Sequence, residues 1–134
     1  MTKEEIIKEA RETESRIATC LASAIKEATC VEIDVIINDS PDYMKIALKE
    51  NHFYSIECYL KDRYEFEERK IYKKDHVAYN IFASGSIQPG DITAPLFIVF
   101  GEIMRNPALS DLILNNMRNN ADNYENACDA IKNL

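Results

Sequence analysis

The feature that most constrains the fold is a stretch of alternating apolar and polar residues between positions 31 and 83. Side chains on a β-strand point to opposite faces at a period of two, so each alternating segment predicts a strand with one apolar face. The links between the segments are short and polar, which favours antiparallel hairpins because parallel strands need long crossovers. The stretch therefore predicts a four- or five-stranded antiparallel meander. Its segments are 31–37, 44–48, 54–60, 64–66 and 77–83.

Residues with short polar side chains mark the turns between these strands, because such side chains hydrogen-bond their own backbone. Residues 38–42 form the densest such signal and end the first strand. We interpret Asp62-Arg63 as another turn, which makes the segment 64–66 a separate short strand. The window 43–50 also fits a helical turn, an alternative that its pattern leaves open.

An amphipathic helix is predicted before the sheet, from Thr2 to about residue 28. Thr2 and Glu5 fit a capping box, in which each side chain satisfies the backbone N–H of the other residue. The apolar stripe at helical spacing predicts a helix that lies on the sheet. The alternative is a homodimer seam, since the spacing approaches a heptad. The stripe consists of Ile6, Ala10, Ile17, Leu21, Ala24 and Ala28.

Two or three helices are predicted after the sheet. Pro95 suits the first turn of a helix that is apolar nearly all round, which predicts a central, buried position, although its opening also fits a short strand. Asn106 and Pro107 mark the next helix, as its cap and its first residue. The asparagines within that helix predict a break near Asn119-Asn120, because their side chains compete for the backbone.

The composition is that of one globular α+β domain spanning residues 1–134, with 46% hydrophobic and 29% charged residues. No apolar run is long enough to span a membrane. The chain is charged from Lys3 onward, which argues against a signal peptide and predicts a cytoplasmic protein. The four cysteines form no Cys-x-x-Cys pair, so we predict reduced, buried thiols rather than disulfides or metal ligands. They are Cys20, Cys30, Cys58 and Cys128.

The net charge of −7 disfavours nucleic acid as a ligand, because an acidic domain repels phosphates. A basic partner protein is favoured instead, although solubility alone accounts for such a charge in many proteins. The one basic run, residues 69–74, contains Tyr72 and so resembles a single-strand binding surface. Because it follows three glutamates and precedes Asp75, we interpret it as a charged hairpin that deters edge pairing.

No motif for a known chemistry is present. His52 and His76 have no second histidine or cysteine at metal-ligand spacing, so we predict no metal, no cofactor, no catalytic residue and no enzymatic activity. The segment 84–91 is the clearest loop, but Asp91 stands where a P-loop has lysine. The loop is either a connector or a ligand-binding segment. The candidate ligand-binding residues are Gly85, Ser86, Gly90 and Asp91.

Tyrosine and glutamate are concentrated on the predicted strands, with six of the seven tyrosines between residues 43 and 79. Tyrosine is favoured at interfaces because it has a large apolar body and a polar tip, but it is also a good strand former. Glu65 and Glu67 share one strand face, an arrangement that suits a solvated face or an acid–base pair. The residues predicted to contact a partner are Glu57, Tyr59, Tyr64, Glu65 and Glu67.

These observations predict a small, acidic, non-enzymatic protein that binds a partner protein and neutralises or escorts it. Its helix–sheet–helix outline is similar in a general way to secretion chaperones, toxin-immunity proteins and phage inhibitors of host defence. This similarity concerns the outline alone and would make the chain an inhibitor-like or anti-defence protein. The alternative function is a small-molecule-binding or ligand-sequestering protein with a pocket between sheet and helices.

Overall fold

The structure, a computed structural model, describes residues 1–37, 40–83 and 94–134 and confirms the α+β class. The long N-terminal helix is followed by four strands and then by two helices, as the sequence predicts. The candidate loop residues Gly85, Ser86, Gly90 and Asp91 lie outside the described residues. The elements are α1 (Lys3–Thr29), β1 (Ile33–Ile37), β2 (Tyr43–Leu48), β3 (Asn51–Glu67), β4 (Lys70–Ala83), α2 (Ala94–Arg105) and α3 (Pro107–Lys132).

The four strands form one antiparallel meander in the order β1-β2-β3-β4. One face of this sheet is the core face, where Ile46, Ile56 and Cys58 are fully buried beneath the helices. Residues at the intervening positions point to the opposite face, which we call the open face. Glu57 and Tyr59 of β3 belong to this open face. The alternation predicted from the sequence thus separates core from surface along most of the sheet, although Ala47 and Ser55, which pair on the open face, are also fully buried.

The predicted turn at Asp62-Arg63 is wrong. β3 is 17 residues long and includes Asp62 and Arg63. The chain reverses instead at Glu68-Arg69. Both turn residues have positive φ, 44° and 66°, the conformation that a two-residue hairpin turn requires. The ladder with β4 continues through Asp62 and Arg63 without a register shift, so strand pairing keeps these two residues in β3. β4 consequently begins at Lys70, seven residues before the predicted strand.

Helix α1 is capped as predicted, with the Thr2 hydroxyl accepting a hydrogen bond from the backbone N–H of Glu5. It packs on β1 and α3, and Leu21 and Ile25 are fully buried there. The centre of the apolar stripe is therefore used inside the chain, as expected of a helix that lies on the sheet. A homodimer remains a prediction that this packing does not test.

The two C-terminal helices differ from their predictions in two respects. Helix α2 buries only one side, since Leu96 is fully buried whereas Phe97 is 56% exposed. Helix α3 begins at the Asn106 cap as predicted but has no break within its 26 residues. Two of its asparagines have side-chain partners: the Asn116 amide donates to the Leu112 carbonyl, and the Asn123 amide donates to the Ala10 carbonyl of α1.

The cysteines are only partly as predicted. All four are free thiols, and Cys58 is buried in the sheet. Cys128 is half-buried, whereas Cys20 and Cys30 are exposed, so their predicted burial is wrong. Cys20 lies on the outer side of α1, and Cys30 terminates that helix.

Replacing Cys30 with glycine should stabilise the protein by about 0.5 to 1 kcal/mol. Cys30 ends α1 in the left-handed conformation, with φ of 60°, and its backbone N–H donates to the Lys26 carbonyl at 2.8 Å. Glycine adopts this conformation without the steric strain of a Cβ. Urea denaturation measures the change. Cys20→Gly, the same substitution inside the exposed side of α1, should instead destabilise the helix; a Cys30→Gly protein less stable than wild type would contradict the prediction.

Candidate functional site

The β3–β4 hairpin extends beyond the helices as a two-stranded arm, which we define as residues 61–76. At its base, Arg118 of α3 contacts Asp75 through Nε and Oδ2 at 3.3 Å. Beyond this contact the side chains of both strands are mostly exposed. The arm is paired along its whole length, with Tyr64 opposite Lys73 and Phe66 opposite Ile71. It therefore presents two sheet faces to solvent.

Three large side chains on one face of the arm form an apolar patch. Tyr64 is 68% exposed, Phe66 is 78% exposed and Ile71 is 64% exposed. All three lie on the core face of the sheet, in the part that the helices do not cover. Tyr64 and Phe66 point to the same side of β3 as Ile56 and Cys58, and Ile71 pairs with Phe66. The core face thus continues past the helical cover, where the charged residues Asp62, Asp75 and Lys73 separate the apolar core from these three exposed side chains. We call Tyr64, Phe66 and Ile71 the arm patch.

The other face of the arm is charged and internally paired. Arg63 Nη2 lies 2.6 Å from Glu65 Oε1, and Lys74 Nζ lies 3.7 Å from the same oxygen. The Tyr72 hydroxyl donates to Glu65 Oε2 at 2.8 Å. This hydrogen bond, followed by the charges of Lys74 and Arg63, lowers the pKa of Glu65. Glu65 is therefore ionised and contacts three side chains of its own hairpin.

A second carboxylate, Glu57, occupies the centre of the open face. Its Oε2 accepts hydrogen bonds from the hydroxyls of Tyr43 and Tyr59, at 2.5 and 3.1 Å. Its Oε1 accepts one from the Asn80 amide at 3.1 Å. The Tyr43 hydrogen bond is the main cause of the lowered pKa of Glu57. Three strands thus converge on one satisfied anion, because β2, β3 and β4 each contribute a donor.

The aromatic rings around Glu57 are also packed together. The rings of Tyr43 and Tyr59 lie with centroids 5.1 Å apart, and Lys61 Nζ stands 5.5 Å from the Tyr59 centroid. Burial and the hydrogen bond to Glu57 raise the pKa of Tyr43 well above its usual range. The cluster therefore stabilises the open face and keeps its hydroxyls protonated as donors.

The five residues predicted to contact a partner do not form one patch. Glu57, Tyr59, Glu65 and Glu67 share the open face, but Glu57 and Glu67 are separated by roughly 33 Å of strand. Tyr64 points to the opposite face, next to two residues that the sequence analysis did not single out. Those residues are Phe66 and Ile71. Phe66 falls on the even-numbered apolar positions that begin at Tyr54 and are interrupted only at Asp62, and this pattern was the signal that could have found it.

The remaining candidate features are the two histidines, groups of possible metal ligands and possible membrane-spanning helices. His52 Nε2 pairs with Asp34 Oδ2 at 2.7 Å on the surface, and His76 lies inside β4 with a buried Nδ1 that has no partner among the described residues. Within the described ranges, no group of three His, Cys, Asp or Glu is placed to hold a metal ion. Of the helices described, none has the length and apolar character to cross a membrane.

A cavity lies at the end of the sheet near the start of α2. Its volume is about 520 Å³, and it opens between the β1–β2 pair and Pro95. Apolar walls from Val31 and Leu48 are combined with the charged side chains of Lys49 and Glu50. Among the described residues, this cavity corresponds best to the pocket between sheet and helices that the alternative function, small-molecule binding, requires.

Comparisons of this chain with protein families, with curated proteins and with solved structures found no match.

Replacing Glu57 with glutamine should destabilise the protein by about 1 to 2 kcal/mol at pH 7, because hydrogen bonds to a carboxylate are stronger than those to an amide. The pKa of Glu57 is lower in the folded than in the unfolded chain. Its stabilisation is thus fully present above the unfolded-state pKa and is lost as the pH falls through the folded-state pKa. The difference between wild type and Glu57→Gln should shrink below pH 4.5, near the ordinary glutamate value. Glu50→Gln, at an exposed turn residue, is the matched control; equal pH profiles for all three proteins would refute the prediction.

Proposed function

We propose that this protein is a non-enzymatic interaction protein that binds a partner protein through the arm patch and thereby neutralises or escorts it. The observation that carries the proposal is the continuation of the core face beyond the helices. There Tyr64, Phe66 and Ile71 stand in solvent on a two-stranded arm. No enzymatic role is invoked, and a cytoplasmic site of action remains a prediction.

The energetics of the arm support this proposal. A two-stranded hairpin is marginally stable in water, and exposed apolar side chains add nothing to it until something covers them. Contiguous exposed apolar residues on a soluble protein commonly mark an interaction site. Tyr64 and Phe66 supply large rigid rings, the kind of side chain that dominates binding energy at interface centres. The arm patch is thus suited to insert into an apolar groove of a partner.

The charges of the arm suit the polar rim of such an interface. Lys73 Nζ pairs with Asp62 Oδ2 at 2.9 Å beside the arm patch, and Glu65 is paired on the opposite face. The arm carries six basic and five acidic side chains, so the acidity of the chain resides elsewhere. Binding by the arm is therefore driven by apolar contact. Attraction between the acidic body and a basic partner would mainly raise the association rate.

Site-specific photo-crosslinking in the cells that make the protein tests the proposal. A benzophenone amino acid at Phe66 should give one discrete crosslinked product containing a second protein. The control is the same probe at Phe97, a phenylalanine of α2 that is 56% exposed. Serine at all three arm-patch positions should remove affinity for the captured protein with the fold intact, because the anchors of the interface are lost. Equal crosslinking from Phe66 and Phe97 would refute the arm as the contact element.

A second candidate function is small-molecule binding, supported by the cavity of about 520 Å³ beside Pro95. Pockets of this size, with apolar walls and a few polar groups, are typical of ligand sites. A ligand library screened by thermal shift would raise the melting temperature if such a ligand exists. Substituting Leu48, on the cavity wall, with tryptophan should abolish that rise, whereas a rise unchanged by this substitution would place the ligand elsewhere.

A further inference from the structure

Among the described residues, the edge of β3 that faces away from β4 in the arm has no partner strand. Residues Tyr43 to Leu48 of β2 pair with one edge of β3. The last hydrogen bond on that edge runs from the backbone N–H of Leu60 to the Asp42 carbonyl, at 2.9 Å. Among the described residues, no strand continues this side of β3 past Leu60. The seven residues 61–67 therefore have β4 on one side and a free edge on the other.

The backbone of this edge is arranged to accept another strand. In an antiparallel sheet, the N–H and C=O of one residue point to the same neighbour, and this direction alternates along the strand. Because the N–H of Leu60 points toward β2, the N–H and C=O of Asp62, Tyr64 and Phe66 point out of the free edge. These are six hydrogen-bonding groups in the spacing of a ladder. Unpaired edges of this kind are templates for strand addition.

The charges along this edge are complementary to those of the same edge on a second copy that runs in the opposite direction. When two copies pair antiparallel about Tyr64, Lys61 stands opposite Glu67 of the second copy, and Arg63 stands opposite its Glu65. The two-fold symmetry repeats both pairs, which gives four pairs of opposite charge on the open face. These are non-hydrogen-bonded positions, where opposed side chains approach most closely.

Neighbouring registers lack this complementarity. Centring the two-fold axis on Arg63 places two arginines directly opposite each other, and centring it on Glu65 does the same with two glutamates. Centring it on Asp62 opposes two aspartates. Like charges in direct opposition destabilise strand pairing. Only the Tyr64 register opposes every charge of the open-face edge with its opposite, and it pairs Asp62 with Phe66 of the second copy on the other face.

We propose that the free edge of β3, residues 61–67, pairs with the same edge of a second copy of this chain, centred on Tyr64. The interface is isologous and differs from the α1 seam considered from the sequence. It brings the arm patches of both copies side by side, since the two-fold axis keeps their core faces on one side of the joined sheet. The inference does not rest on the proposed function, because self-association is measurable without a partner.

Charge-swapped variants of the full chain test this interface. One variant, K61E/R63E, makes all four open-face edge charges negative; the other, E65R/E67K, makes all four positive. Each variant alone should dimerise about 100-fold or more weakly than wild type in sedimentation equilibrium, since four attractive pairs become repulsive. An equimolar mixture should form a one-to-one heterodimer in native mass spectrometry, because all four pairs are then opposite again. Circular dichroism and melting curves establish that each variant is folded.

The control is K3E/K8E, which changes the net charge as K61E/R63E does but acts on exposed lysines of α1. It should dimerise as wild type does. A wild-type protein that stays monomeric at millimolar concentration would overturn the proposal, including the case in which the edge receives a strand from another protein. Dimers that tolerate either arm variant, or variants that fail to form the heterodimer, would equally overturn it.

Discussion

Replacing Ile56 with alanine should lower the free energy of unfolding by about 2 to 5 kcal/mol, the cost of emptying a buried isoleucine site. Ile56 is fully buried at the centre of the sheet, where it stands between Ile46 and Ile81 on the neighbouring strands. The surrounding side chains come from two packed layers and relax only partly into the space. Urea denaturation followed by circular dichroism gives the free energy from midpoint and slope.

The same substitution at Ile71 should change stability by no more than about 0.5 kcal/mol, as is usual for exposed sites. Ile71 lies on the same face of the same sheet as Ile56 but is 64% exposed. The pair therefore measures where the core ends along β3 and β4. A large loss at Ile71 would mean that the arm patch is packed against something in the isolated protein. A small loss at Ile56 would contradict the assigned core.

Most of the fold follows from local patterns that the sequence states directly. The apolar period of two in the strands and the capping residues Thr2 and Asn106 each correspond to one local physical requirement. The sequence predictions fail where the residue types favour one local structure and the strand pairing favours another. Asp62-Arg63 has turn-like chemistry, yet the hydrogen-bond ladder with β4 holds it in strand, whereas Glu68-Arg69 turns in spite of its residue types. Tertiary pairing decided both positions.

The candidate site was predictable only in part, because burial is a property of the assembled layers. The sequence identifies Tyr64 and Glu65 as notable, but it does not state that the helices stop short of them. Because the helical cover ends before the arm, Phe66 and Ile71 are exposed although they lie on the core face of the sheet. It likewise does not state that Glu57 is already bound by three donors of its own sheet. For these reasons we propose the apolar arm patch, and not the predicted face of tyrosines and glutamates, as the contact surface.

Amide hydrogen exchange should divide β3 into two parts whose rates differ by roughly 1,000-fold or more in dilute protein, because core strands open only with global unfolding whereas projecting hairpins fray. The slow part is the segment 54–60, which lies between β2 and β4 and carries the buried side chains. The fast part is the segment 61–67. Within it, the amides of Asp62, Tyr64 and Phe66 should be fastest, since they point out of the free edge.

The same exchange rates measured at low and at millimolar protein concentration test the pairing of two arms. Pairing of two arms would supply hydrogen-bond acceptors to these three amides, so their exchange should slow at millimolar concentration while that of the intervening residues changes less. Arg63 and Glu65 are the internal reference, because their amides point to β4 at any concentration. Uniform slow exchange over residues 51–67 in dilute protein would show a rigid arm and would remove the energetic argument for a covering partner. Exchange from the edge amides that is fast at every concentration would contradict the paired edge but leave the arm patch available for another protein.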